Sequence, residues 1–138
     1  MLFQYEEENV VKIKKDVELE FVLAYLERMN PKTRSFCTLS NQDESYVQCA
    51  GSKLRMIVEH RGYQGSGFTH YVLGKNTNDL REHSINYSGG IIRLKRNEIL
   101  SVNDAKIVFQ SFYLTQKMPE GYCLRDNTQM FVKSEKDR

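Results

Sequence analysis

The chain is poor in the residues that mark specialised protein classes. Two prolines and eight glycines among 138 residues exclude collagen-like and low-complexity sequences. Three cysteines, an odd number with no Cys-x-x-Cys spacing, provide neither a disulfide framework nor a zinc knuckle. Uninterrupted apolar runs are only a few residues long, too short for a bilayer-spanning helix. Charge of one sign is not in excess either: 20 Lys and Arg against 18 Asp and Glu leave +2. That balance argues against a nucleic-acid or membrane partner. The opening segment carries an acidic run at Glu6-Glu7-Glu8 where a secretory signal would place a basic region and an apolar stretch. A cytoplasmic location is therefore expected. What is present, 40% apolar and 28% charged residues, suits a single domain over residues 1–138 with a frayed tail at 133–138.

Hydrophobic periodicity gives the order of elements. Helical spacing runs from Asp16, a candidate N-cap, to Met29, with Val17, Phe21 and Ala24 on one stripe and Pro31 beyond the end. Asn9 to Lys15 alternates as a short strand. From Ser35 to Arg96 the period falls to two. Ser35–Ser40 and Ser45–Ala50 flank a polar turn, Lys53–Arg61 and Gly67–Leu73 flank a glycine-rich loop, and His83–Tyr87 and Ile91–Lys95 flank Ser88-Gly89-Gly90. Ser101 followed by Asp104 forms a capping-box variant ahead of a helix to about Gln116, with Val102, Ala105, Val108, Phe109 and Phe112 on its apolar face. Tyr122–Val132 has no clear period. The expected fold is α+β: a single antiparallel meander sheet of about six strands, two helices on one face, and the other face open.

Pairing Arg61 with Gly67 across a five-residue loop assigns Leu54, Met56, Val58, His60, Phe68, His70 and Val72 to the helix-covered face. The opposite face then carries Lys53, Arg55, Ile57, Glu59, Arg61, Thr69, Tyr71 and Leu73. Tyrosine and arginine on an open sheet are suited to protein recognition. Solubility alone would account for the same mixture.

Candidate chemistry is sparse. His60 and His70 share a face in this register and could serve as a general acid–base pair of a small enzyme or ligand-binding domain. They lack a convergent third ligand, so no metal and no cofactor are expected. Cys37 and Cys49 face each other as small core residues, and Cys123 has no activating neighbour beyond Arg125. Gly62–Gly67 is not followed by a helix, so it reads as a mobile hairpin tip and not as a phosphate cradle. Arg93, Lys95 and Arg96 form the densest basic run, without the interleaved aromatics of a single-strand binding platform.

Tyr46–Gly51 (YVQCAG), Val58–Arg61 (VEHR), His70-Tyr71 and Phe109–Tyr113 (FQSFY), set in this order of elements, carry a family resemblance. The chain resembles the small immunity proteins encoded beside bacterial polymorphic and contact-dependent inhibition toxins, in particular their Imm1-like group, over about Ser35–Phe131. The resemblance implies a stoichiometric inhibitor that occludes a cognate toxin domain and has no catalysis of its own. A secretion chaperone or adaptor would look the same from sequence. The expected partner-binding residues are Arg55, Glu59, Arg61, Tyr63, Thr69 and Tyr71. The rival surface is the acidic edge of Glu18, Glu20 and Glu27 with Glu6, Glu7 and Glu8, which would suit a basic toxin.

Overall fold

A computed structural model describes residues 1–136, with side chains to Val132; of the tail expected at 133–138, the last two residues lie outside the described residues. The described residues form nine strands, β1 (Leu2–Glu7), β2 (Val10–Lys14), β3 (Phe36–Ser40), β4 (Tyr46–Gly51), β5 (Met56–Gln64), β6 (Gly67–Lys75), β7 (Glu82–Tyr87), β8 (Gly90–Lys95) and β9 (Tyr122–Asp126), with burial alternating most cleanly in β3 and β4. Three helices are interspersed: α1 (Leu19–Glu27), α2 (Val102–Thr115) and α3 (Thr128–Lys136). Seven strands form one antiparallel sheet in the order β2-β1-β3-β4-β5-β6-β9, and β7 and β8 form a separate two-stranded sheet. The α+β class and the antiparallel sheet with both long helices on one face are as the sequence indicates.

One face of the large sheet buries Phe3, Cys37, Leu39, Val47, Cys49, Met56, Val58 and Leu73 against Val22 and Leu26 of α1 and Val108, Phe109 and Phe112 of α2. Both helices are held here because their apolar stripes have nowhere else to go. The capping box is present in α2, where the Ser101 N–H donates to the Asp104 carboxylate at 3.0 Å. In α1 the cap falls on Glu18, and Asp16 instead takes a left-handed φ of 51° in the preceding turn.

The second face is not open. The β7–β8 hairpin lies on it, packing Ile85 and Leu94 against Ile57 and Val72 in a second, smaller core. The alternation that marked β7 and β8 as strands also gave each an apolar side, and that side requires cover.

The β5–β6 pairing also departs from expectation. Gln64 pairs with Gly67 across a two-residue turn in which Gly65 takes φ +59°, and Arg61 lies opposite His70. Relative to an Arg61–Gly67 pairing, β6 is displaced by three residues, an odd number, so every β6 side chain changes face. Phe68, His70 and Val72 join Glu59 and Arg61 on the second face, while Thr69, Tyr71 and Leu73 join His60 on the helix side. Leu54, expected in the core, is 79% exposed, because Ser52–Arg55 forms a turn closed by Ser52 N–H to Arg55 C=O and β5 begins only at Met56.

Candidate partner-binding surface

The β5–β6 hairpin outruns its neighbours. β4 pairs with β5 only as far as Tyr46–Arg61, and β9 pairs with β6 only from Tyr71 onward. Between Gly62 and Thr69 the two strands therefore project without a flanking strand among the described residues. Tyr63 and Phe68 sit opposite each other on this projection with ring centroids 5.7 Å apart, and Tyr63 is more than a third exposed. Its backbone N–H is anchored to Ser45 Oγ at 2.9 Å.

At the root of the hairpin a charged chain crosses the sheet. His70, fully buried, has Nε2 2.6 Å from Glu59 Oε2, and its Nδ1 is 3.0 Å from Arg61 Nε. A guanidinium can only donate, so Nδ1 accepts and the ring proton resides on Nε2, which donates to Glu59. Both ring nitrogens are committed. The second Glu59 oxygen, Oε1, accepts a longer bond from the Gln48 amide at 3.3 Å.

Aromatic rings enclose the other end of this chain. The Arg61 guanidinium carbon lies 4.2 Å from the Phe68 ring centroid and 4.4 Å from that of Phe131, with Tyr46 at 5.7 Å. Such contacts fix a cation that would otherwise lose side-chain freedom on binding a partner. Burial raises the Tyr46 hydroxyl pKa, against the opposing pull of Arg61. The start of α3 contributes as well: the His70 backbone N–H donates to Thr128 Oγ1 at 2.9 Å, and Phe131 covers the His70 ring at 4.4 Å.

The six residues expected at the interface divide into groups. Glu59, Arg61 and Tyr63 share the second face at the base and flank of the projecting hairpin. Thr69 is exposed on the opposite side of the same projection, and Tyr71 is half-buried beside His60, their rings parallel with centroids 6.5 Å apart. Arg55 stands apart in the Ser52–Arg55 turn, where it is exposed and donates to the Ser84 carbonyl at 3.4 Å.

His60 and His70, expected on one face, are on opposite faces of the sheet. His60 packs edge-on against Phe112 of α2, and burial, followed by the proximity of His70, holds its pKa below the usual value. Its buried Nδ1 has no hydrogen-bond partner among the described residues.

The acidic edge is largely satisfied internally. Glu6 is buried and accepts from the Ser35 N–H (2.9 Å), the Ser35 hydroxyl (2.8 Å) and the Ser88 hydroxyl. Burial raises its pKa, and the bonds from Ser88 and Ser35 overcome that penalty to leave it below the ordinary carboxylate value. Glu7 pairs with Lys12 at 2.7 Å, Glu8 with Arg34 at 3.6 Å, and Glu27 with both Lys53 and Lys106.

Sequence reasoning missed Phe68, His70 and Phe131 as parts of this surface. For the first two a signal existed: Gln64-Gly65-Ser66-Gly67 can close a two-residue turn, which alone would have set Arg61 opposite His70. Phe131 had none, because its placement depends on β9 joining the sheet edge. No protein-family model matches this chain, and no curated protein matches it in a sequence comparison.

Proposed function

We propose that this chain is an immunity protein that binds a cognate bacterial toxin domain in the cytoplasm and neutralises it by occlusion, without catalysis of its own. The observation that carries the reading is the projecting β5–β6 hairpin, whose aromatic tip is braced by the Glu59–His70–Arg61 chain. A protrusion ordered before contact loses little freedom on entering a concave site, and tyrosine at its tip supplies contact area with a polar end. The burial of Glu6 and the pairing of Glu7, Glu8 and Glu27 with internal cations favour this surface over the acidic edge.

The test is co-expression with the toxin domain encoded by the neighbouring reading frame. The wild-type chain should restore growth, and Tyr63→Ala combined with Gln64→Ala should fail to do so while remaining folded by circular dichroism. Full protection by that variant would remove the hairpin from the interface. Absence of protection by the wild-type chain would overturn the immunity reading.

A further inference from the structure

A groove of about 480 Å³ runs along the second sheet face beside the β7–β8 hairpin. Its floor is built from Phe36 and Thr38 of β3, Gln48 of β4 and Glu59 of β5, and its wall from Tyr87 and Ile92. The size is that of a small-ligand site, and the lining combines apolar surface with a few convergent polar groups. Phe36 and Tyr87 meet edge to face at 6.3 Å, presenting an aromatic corner.

Arg93 and Arg125 approach Glu59 from an adjoining cavity and do not line this groove. Glu59 is the only charged residue among its described lining residues. Its side chain is only 15% exposed, and His70 fixes one of its oxygens, so the carboxylate is held in place before any ligand arrives. Among the described residues Oε1 has only the 3.3 Å bond from Gln48, which leaves acceptor capacity for a stronger donor. An aromatic corner next to an immobilised carboxylate is the combination that recognises an organic cation, through ring-face attraction and charge-assisted hydrogen bonds together.

We infer that this groove receives the alkylguanidinium or alkylammonium head of an arginine or lysine side chain carried by the partner, with Glu59 as the acceptor and Phe36 and Tyr87 as the aromatic wall. That the cation belongs to a partner protein rests on the function proposed above. The preference for a cation does not. Glu59 would then link two parts of one interface, the groove and the root of the projecting hairpin.

The experiment uses probes that need no toxin. n-Butylguanidinium, n-butylammonium, the neutral isostere n-butylurea and a capped Gly-Gly-Arg-Gly-Gly peptide are titrated into the isotopically labelled chain, following the amide resonances of Phe36, Thr38, Gln48 and Tyr87. Both cations and the arginine peptide should bind at least tenfold more tightly than the urea. Glu59→Gln, which keeps an acceptor for His70, should weaken cation binding at least tenfold. Gln48→Lys, which sets an ammonium directly across the strand pair from Glu59, should do the same at a half-buried position. Equal binding of urea and guanidinium, or undiminished binding in both variants, would overturn the cation site. Binding of the free cations without the peptide would overturn its assignment to a partner side chain. Selective cation binding in a chain that protects no cell would leave the groove standing and remove only the immunity reading.

Discussion

Replacing Arg61 with alanine tests the brace beneath the projecting hairpin. Among the described residues, the substitution removes the only donor to Nδ1 of a histidine that is fully buried. An unsatisfied buried acceptor costs about 1–3 kcal/mol. Contacts with the Phe68 and Phe131 rings, at 4.2 and 4.4 Å, add roughly 0.5–1 kcal/mol each at a half-buried site. The sum is about 2–5 kcal/mol, a large share of the ~5–15 kcal/mol that stabilises an ordinary domain. Urea unfolding followed by circular dichroism suits a chain without tryptophan, and at a slope of about 2 kcal/mol/M the midpoint should fall by about 1–2.5 M. Arg61→Lys should recover less than half of the loss, since an ammonium does not reproduce the planar fork and its stacking. On a His70→Phe background, Arg61→Ala should cost at least about 1 kcal/mol less than in the wild type, because the acceptor is already gone. A loss below about 1 kcal/mol for Arg61→Ala, or strict additivity with His70→Phe, would refute the brace.

Further outcomes follow from the packing. Phe109→Ala and Phe112→Ala should each destabilise by about 3–5 kcal/mol in the same unfolding assay, as both rings are fully buried between α2 and the sheet. Cys37 and Cys49 are buried with their sulfurs 3.5 Å apart, and burial raises the Cys37 thiol pKa; Cys123 is exposed. A thiol reagent should therefore titrate one cysteine in the native protein and three after denaturation. Because burial lowers the His60 pKa below its ordinary value of 6.5, the unfolded chain binds a proton there that the folded chain does not. That contribution makes stability fall as pH drops through about 6.5, and His60→Gln should flatten the decline between about pH 7 and 5 in denaturant titrations.

The fold was legible wherever local chemistry determined it. The capping box at Ser101–Asp104, the glycines of the β7–β8 turn and the two-residue period of β3 through β8 are all local, and they locate α2 and six strands. β1 escaped detection because Leu2–Glu7 lacks clean alternation: Tyr5 and Glu6 are buried on opposite faces, and the carboxylate of Glu6 is satisfied by Ser35 and Ser88 from distant parts of the chain. β9 and α3 depend in the same way on docking at the sheet edge. The placement of the candidate surface residues was half legible. β5 alternation put Glu59, Arg61 and Tyr63 on one sheet face, where the structure has them, whereas Thr69 and Tyr71 fall on the other face because an odd register shift inverts a whole strand. Cover of the second face could not be read from strands alone, because β7 and β8 look the same in sequence whether they extend the sheet or lie across it.

The affinity of the neighbouring toxin domain for two variants tests the central claim most directly. Tyr63→Ala removes the exposed aromatic of the projecting hairpin, and Glu8→Lys reverses an exposed charge on the acidic edge without touching the buried Glu6. Glu6→Lys would confuse the comparison, because Ser35 and Ser88 depend on that carboxylate. By calorimetric titration, Tyr63→Ala should weaken binding by about 2 kcal/mol or more, roughly thirtyfold, as expected for a central anchor, while Glu8→Lys changes it less than about threefold. Undiminished affinity in Tyr63→Ala together with a large loss in Glu8→Lys, both variants folded, would contradict the account and move the interface to the acidic edge.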